Sequence, residues 1–276
     1  MSVTDPTTRR TELLATLAQE VETLRTSEGW RSWLAFASRF RSYSLNNQLL
    51  IRRQCPEATR IAGYRTWQAL GRQVMRGATG IAILAPIKRS VATDDAPDEK
   101  HLVLSGFRVV FVFDVSATEG EALPEHPELP PVGVPDLGLL QRLEAVTTAA
   151  GYVLSKTEDR ASGARGWYVP AAREITLVSS YPPESQVRTL LHELGHACDP
   201  LVGTAEHGGR AHRELVAESA AFIVGTSHFG LDMTDASTLY VTGWGADTTE
   251  LTKLAGQVLA VAGRLEGLVA DVAAAA

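Results

Sequence analysis

The segment TLLHELGHACDP, residues 189–200, carries His192 and His196 four residues apart, with Glu193 directly after the first histidine. On a helix, side chains at positions i and i+4 lie on one face, so both imidazoles can bind one ion. Glu193 is placed beside them to polarise a water at an open coordination position. The spacing therefore predicts a zinc site with Glu193 as general base. The alternative is two surface histidines that share an ordinary helix by chance.

A third ligand is required, and the helix predicted for HRELVAESAAF offers Glu214 and Glu218 on one face. By themselves, two such acids are typical of a solvated helix face. Next to the histidine motif they resemble the thermolysin-like arrangement, in which one acid binds the metal and an acid one turn later orients the first histidine. The resemblance implies that Glu214 is the ligand and that Glu218 contacts His192. The exchanged roles remain open.

Other side chains near the motif offer alternatives. A different ligand could come from His207, His212 or His228. A hydrolase of this kind also needs a donor for the oxyanion, for which Tyr240 and His212 are candidates. Zn²⁺ is the expected ion, with another divalent first-row metal as the alternative. The sequence does not indicate which protein or peptide would be the substrate.

Charge is distributed unevenly along the chain. The net charge is −6, yet residues 31–90 contain eleven Arg or Lys and a single acid, Glu57. Such asymmetry predicts a polyanionic partner for the basic part. Aromatic residues interleave with the arginines there, and this combination suits single-stranded DNA, because arginines contact phosphates while bases stack on rings. The candidate DNA-binding residues are Arg39, Arg41, Tyr43, Asn47, Arg52, Arg53, Tyr64, Trp67, Arg72 and Arg76. The alternatives are a solvated face for the arginines and a core position for the aromatics.

A proline-rich stretch divides the chain. Residues 121–137 hold five prolines, which disfavour helix and sheet alike and indicate a semi-stiff linker. We therefore predict an α+β protein of two domains: a DNA-binding domain over residues 1–125, a linker over 126–136 and a metal-binding domain over 137–276. Within the first domain, the acidic residues 91–101 predict an exposed loop.

The basic part of the chain is similar to a known family. The segment YSLNNQLLIRRQCPEATRIAGYRTWQALGRQVMRGATGIAILAPI resembles the N-terminal domain of ArdC-type antirestriction proteins. TLLHELGHA followed by RELVAESAAF resembles that family's zincin-like C-terminal domain. The family usually carries charge where this chain has Ala78 and Thr79, and Gln where it has Ala117. The resemblance implies a single-stranded-DNA-binding domain joined to a gluzincin-like metallopeptidase domain, in a protein that protects incoming plasmid DNA during conjugation.

Two other functions fit the same residues. The metal site could be non-catalytic, with protection arising from DNA coating alone, or the protein could be a regulatory zinc peptidase that cleaves a repressor. No apolar run approaches the roughly 18 residues that a membrane span requires, and only Cys55 and Cys198 occur. We therefore expect a cytoplasmic protein without a membrane partner.

Overall fold

The computed structural model describes residues 6–93, 96–123, 137–158, 163–204, 208–233 and 247–274. The predicted linker at 126–136 lies outside these ranges. Packing divides the chain into two compact units: Met1–Glu22 with Ser42–Pro124, and Thr23–Arg41 with Glu125–Ala276. Both units contain helices and strands, and the α+β prediction is confirmed.

Eight helices and eight strands make up the described residues. The helices are α1 (Pro6–Thr23), α2 (Ser27–Arg39), α3 (Leu45–Gln54), α4 (Tyr64–Ala69), α5 (Leu137–Ala149), α6 (Pro183–Cys198), α7 (Arg210–Phe229) and α8 (Thr248–Ala274). The strands are β1 (Ile61–Gly63), β2 (Arg72–Val74), β3 (Ile81–Thr93), β4 (Ala96–Asp114), β5 (Thr118–Gly120), β6 (Val153–Thr157), β7 (Gly166–Val169) and β8 (Glu174–Val178).

The first unit is built on a long antiparallel hairpin. Strand β4 lies between β1 and β3, and a β-bulge interrupts the β3–β4 register between Ile87 and Lys88. Strand β2, which precedes Gly77, pairs with β5 and not with β3, the next strand along the chain. The loop predicted at 91–101 is wrong, because Val91 pairs with His101 and the strands continue to Thr93 and from Ala96. Main-chain pairing outweighs the local polarity of that segment.

Helix α3 covers the edge of this sheet that β3 forms. The Asn47 amide donates to the Leu84 carbonyl and accepts from the Leu84 N–H, both at 3.0 Å. Two helical turns later, the Gln54 amide makes the same pair of bonds to the backbone of Ala82, each at 2.9 Å. An edge strand otherwise leaves such groups unpaired. The side chain of Asn47 is therefore part of the sheet's hydrogen bonding.

The second unit joins a three-stranded sheet to a group of helices. Strand β8 lies at the centre, parallel to β6 and antiparallel to β7, so β7 is an edge strand. Helices α6, α7 and α8 pack on one another. The helices predicted for the histidine motif and for the glutamate pair form as α6 and α7.

Helix α2 belongs to the second unit although it precedes the first unit's sheet in the chain. Trp30 and Trp33 are completely buried, and the Trp30 indole N–H donates to Ser219 Oγ on α7 at 2.9 Å. The sequence placed these residues before the linker, in the first domain. Packing instead groups Thr23–Arg41 with the unit that contains α7, because the indole rings of Trp30 and Trp33 are buried in that unit. Within the described ranges, we find no helix whose length and apolar character would let it cross a membrane.

Candidate metal centre

Helix α6 presents the histidine motif on one side and core residues on the other. Pro183 occupies the first turn, where its missing N–H costs no hydrogen bond. An apolar stripe at Val187, Leu190, Leu191 and Leu194 is completely buried. The opposite side of α6 lines a cleft of about 1150 Å³. The amphipathic spacing of the helix thus directs the histidines into the cleft.

The side chains of α6 and α7 bring three potential ligand atoms together. His192 Nε2 lies 3.1 Å from His196 Nε2, and Glu214 Oε2 lies 3.3 and 3.6 Å from these two nitrogens. Bonds of about 2.0–2.1 Å to a tetrahedral zinc ion separate the ligand atoms by about 3.3 Å. In the described part of the chain, these three residues form the one group of His, Cys, Asp or Glu side chains that lie close enough together to hold an ion. The donor set of two imidazoles and one carboxylate therefore fits zinc.

Glu218 lies one turn after Glu214 and makes a different contact. Its Oε2 lies 2.6 Å from Nδ1 of His192, the ring nitrogen on the far side from His196. A carboxylate at Nδ1 accepts the Nδ1 proton, which fixes the tautomer and leaves the Nε2 lone pair for an ion. The geometry separates the two acids: Glu214 contacts Nε2 and Glu218 contacts Nδ1.

The two acids perturb the titration of His192 in the metal-free protein. Burial lowers the pKa of His192, but hydrogen bonds to Glu214 and Glu218 outweigh it and raise the pKa to about 10. Hydrogen bonds to His192 and His196 hold the pKa of Glu214 well below its usual range. An arriving cation must therefore displace a proton from His192.

Glu193 is buried beside the triangle of ligand atoms, with 7% of its surface exposed. Burial raises its pKa, although both histidines act to lower it. The backbone N–H of Tyr168 in β7 hydrogen-bonds to the Glu193 carboxylate. The general-base candidate therefore lies between the histidines and an edge strand.

Two glycines permit this close assembly. A Cβ on Gly195 would lie 2.8 Å from the backbone oxygen of Ala217 on α7. A Cβ on Gly166 would lie 2.6 Å from Thr189 Cγ2 and 2.9 Å from the Thr176 carbonyl oxygen. Glycine thus lets α6 approach α7, which carries the acids, and lets β7 approach α6. Neither glycine was predicted from the sequence to have this role.

His212 and His228, two of the alternative ligand candidates, lie away from the three ligand atoms. His212 Nε2 is 2.7 Å from the Gln257 amide oxygen, and His212 does not line the cleft. His228 contacts Arg41 and Glu266. His207 and Tyr240, the remaining candidates for ligand and oxyanion donor, lie outside the described residues.

Several predicted DNA-binding residues are engaged within the first unit. Arg52 contacts Glu20 at 3.2 Å and Arg72 donates to Thr118 Oγ1 at 2.8 Å. Trp67 is buried and donates to the Phe113 carbonyl, so its ring is a core element. The Tyr43 hydroxyl donates to the Ile61 carbonyl at 3.2 Å, and Asn47 is bound to β3 as described. Three of the predicted residues in this unit are exposed: Arg53, Tyr64 and Arg76.

Two predicted DNA-binding residues belong to the second unit. Arg41 pairs with Glu266 on α8 and also contacts His228. Arg39 is exposed, with its guanidinium 5.4 Å from the centre of the Phe36 ring. The ten predicted residues are therefore not brought together on one surface of the first unit.

The β3–β4 hairpin carries exposed aromatic and cationic side chains that were not among the predicted DNA-binding residues. Phe107 is 40% exposed and Phe111 is 39% exposed, with the Arg9 guanidinium 4.7 Å from the centre of the Phe111 ring. Paired residues of an antiparallel ladder share a face, and alternate residues project to opposite faces. Pro86 pairs with Phe107, so Lys88 shares the Phe107 face. The segment GFRVVFVF is almost continuously apolar, so its pattern predicts a strand without indicating which face is exposed.

Comparisons with known proteins agree with this architecture. Residues 7–113 match the family model for the N-terminal domain of anti-restriction factor ArdC. The predicted resemblance to ArdC is confirmed.

A crystal structure of the antirestriction ArdC protein from the R388 plasmid, metal-free, aligns with a TM-score of 0.56 at 20% identity, over 83% of this chain and 86% of that chain. The Mn(II)-bound structure of the same protein aligns with a TM-score of 0.53 over the same shares. This likeness shows a shared fold. No curated protein sequence matches the chain.

Proposed function

We propose that this chain is an ArdC-like antirestriction protein that binds single-stranded DNA through its first unit and cleaves peptide bonds at the metal centre of its second unit. The observation that carries the proposal is the triangle of His192, His196 and Glu214 atoms with Glu193 beside it. The match to the ArdC N-terminal domain supports the DNA-binding half. Protection of incoming plasmid DNA in the cytoplasm follows from both halves together.

The proposed metal ligands are His192, His196 and Glu214, with Glu218 orienting His192. The donor set favours zinc; the R388 ArdC protein has been solved with Mn(II), and a divalent first-row ion is therefore the broader expectation. A bound ion supplies Lewis acidity that polarises a carbonyl and activates water. The remaining steps depend on this chain's own residues.

Glu193 would accept the proton that water loses and pass it to the departing amine, so that one water is consumed for each peptide bond broken. Its buried position beside His192 and His196 places the carboxylate next to the proposed ligands, where it can both take and release a proton. Strand β7 would align the substrate, because a strand at the edge of a sheet can hydrogen-bond an extended peptide.

The experiment that tests catalysis compares Glu193→Gln with the unchanged protein. Glu193 is not among the proposed ligands, so the variant should bind Zn²⁺ with the same stoichiometry and lose all peptide hydrolysis. His196→Ala is the matched control, which should lose both. Hydrolysis that survives Glu193→Gln would contradict the proposed role of Glu193.

A cellular assay separates the competing functions. If Glu193→Gln still protects transferred DNA from restriction, DNA binding alone accounts for protection and the metal site is non-catalytic in that role. If the protein cleaves a repressor and replacement of its exposed arginines leaves that cleavage intact, the regulatory peptidase replaces the antirestriction proposal.

A further inference from the structure

The cleft around the candidate metal centre has a basic wall. Four arginines line it: Arg165, Arg188, Arg210 and Arg213. Two of them already have carboxylate partners, since Arg188 pairs with Glu184 at 3.0 Å and Arg210 Nε lies 3.8 Å from Glu214. The charges of this pair of arginines are partly compensated within the protein.

Arg165 and Arg213 have weaker contacts. Arg213 donates to the Gly208 carbonyl oxygen at 3.5 Å. Arg165 donates to Ser185 Oγ at 3.4 Å, and its guanidinium lies 5.4 Å from the centre of the Tyr181 ring. Across the described ranges of the chain, neither forms an ion pair with a carboxylate. Both guanidinium groups can therefore accept an anionic partner from outside the protein.

The two arginines are placed where an extended substrate would run. Arg165 directly precedes β7, the edge strand whose Tyr168 N–H reaches Glu193. Arg213 directly precedes Glu214 on α7 and lines the same cleft. A peptide that follows the edge of β7 towards Glu193 would pass near both guanidinium groups.

The four acids that line the cleft contact groups other than Arg165 and Arg213, and Glu184 among them pairs with Arg188. Glu214 and Glu218 contact His192, and Glu193 is buried next to the two histidines. A divalent ion held by Glu214 and the imidazoles would add further positive charge. Since guanidinium binds carboxylate through two parallel hydrogen bonds, the surroundings favour Asp and Glu side chains.

We propose that the cleft selects acidic peptides, with Arg165 and Arg213 binding Asp or Glu side chains of the substrate. This inference rests on the proposed peptidase function and names its substrate class. The position of β7 at the edge of its sheet favours a peptide over a nucleic acid as the occupant, because a nucleic acid strand has no backbone amides to pair with a strand.

Binding is measured first, with the full chain carrying Glu193→Gln and loaded with Zn²⁺. Three fluorescent peptides differ at two positions only, which are both Glu, both Gln or both Lys. We expect the Glu peptide to bind at least about tenfold more tightly than the Gln peptide at low salt. Arg213→Glu and Arg165→Glu should each remove that preference. Arg264→Glu on α8, exposed and away from the cleft, is the matched control and should keep it.

Cleavage of the same peptides with Glu193 intact separates the two claims. Equal affinity for the Glu and Gln peptides, or no binding of any peptide, would overturn the acidic preference. If the Glu peptide binds more tightly but no peptide is cleaved, the result would contradict the peptidase proposal and support the proposal that the cleft binds acidic peptides. A short single-stranded oligonucleotide that displaces the Glu peptide, with the same dependence on Arg213, would assign the cleft to nucleic acid instead.

Discussion

Glu218 Oε2 lies 2.6 Å from His192 Nδ1, while Glu214 Oε2 lies 3.3 Å from Nε2 of the same ring. The two acids therefore hold opposite sides of one imidazole. Glu218→Ala should weaken Zn²⁺ affinity by about 10- to 100-fold, since the orienting carboxylate is lost. Glu214→Ala should cost more, because a ligand is lost. Competition with a chromophoric chelator measures both affinities, and a larger loss in Glu218→Ala would exchange the roles of the two acids.

Metal affinity should rise with pH through the neutral range. In the metal-free protein the carboxylates raise the pKa of His192 to about 10, so this imidazole carries a proton that the ion must displace. The same shift stabilises the metal-free fold fully below pH 6.5, the ordinary pKa, and this contribution is lost as pH rises through about 10. Calorimetry in buffers of different ionisation enthalpy counts the protons released. A proton count of zero at pH 7.5 would contradict the shift.

Gly195→Ala should disturb both the stability and the metal centre. The new methyl group would meet the backbone oxygen of Ala217 at 2.8 Å and its Cα at 3.0 Å, so α6 must move away from α7. Overpacking of this kind costs about 1–3 kcal/mol in the free energy of unfolding. Gly263→Ala on α8 is the control, because nothing lies within 4 Å of its added Cβ and alanine favours a helix. Chemical denaturation of both variants tests the contrast.

The hydrogen bond between Trp30 and Ser219 joins α2 to α7. Trp30→Phe and Ser219→Ala should each destabilise the second unit, and the free energies of unfolding should be non-additive because both variants remove one interaction. The expected coupling is about 1 kcal/mol. Strict additivity in the double variant would mean that the bond contributes nothing to stability.

Short-range spacing explains which parts could be predicted from the sequence. The interval of four residues predicted a shared face for His192 and His196, whose Nε2 atoms lie 3.1 Å apart. The glutamate pair of α7 could be matched to α6 by resemblance, but the close approach at Gly195 depends on tertiary packing. Local pattern thus predicts which residues share a helix face, and leaves the distance between helices open.

The contacts of the arginines in the first unit could not be predicted, because the residues that they contact are distant in the sequence. Glu20 is 32 residues from Arg52, and Thr118 is 46 residues from Arg72. A window of sequence around either arginine contains no sign of these contacts. The same applies to α2, whose indoles are buried in the second unit, although its sequence lies next to the first unit's helices.

The aromatic face of the β3–β4 hairpin is our candidate surface for single-stranded DNA. Phe107 and Phe111 are exposed there, and Lys88 shares the face with them through the pairing of Pro86 with Phe107. Phe107→Ala should weaken binding of a labelled single strand by about 1–3 kcal/mol, because base stacking is lost. Lys88→Ala should also reduce the salt dependence, by about 0.7 in the slope of log K against log salt.

Arg89 provides the matched control for this surface. It directly follows Lys88 in β3 and carries the same charge, but alternation along β3 places it on the opposite face. Fluorescence anisotropy across a salt series, with single-stranded and duplex oligonucleotides, compares Lys88→Ala with Arg89→Ala. We expect the single strand to be preferred and only Lys88→Ala to reduce the slope. Equal losses of affinity in Lys88→Ala and Arg89→Ala would indicate a general attraction to positive charge. Unchanged DNA binding in Phe107→Ala would instead assign the DNA surface to the exposed residues Arg53, Tyr64 and Arg76.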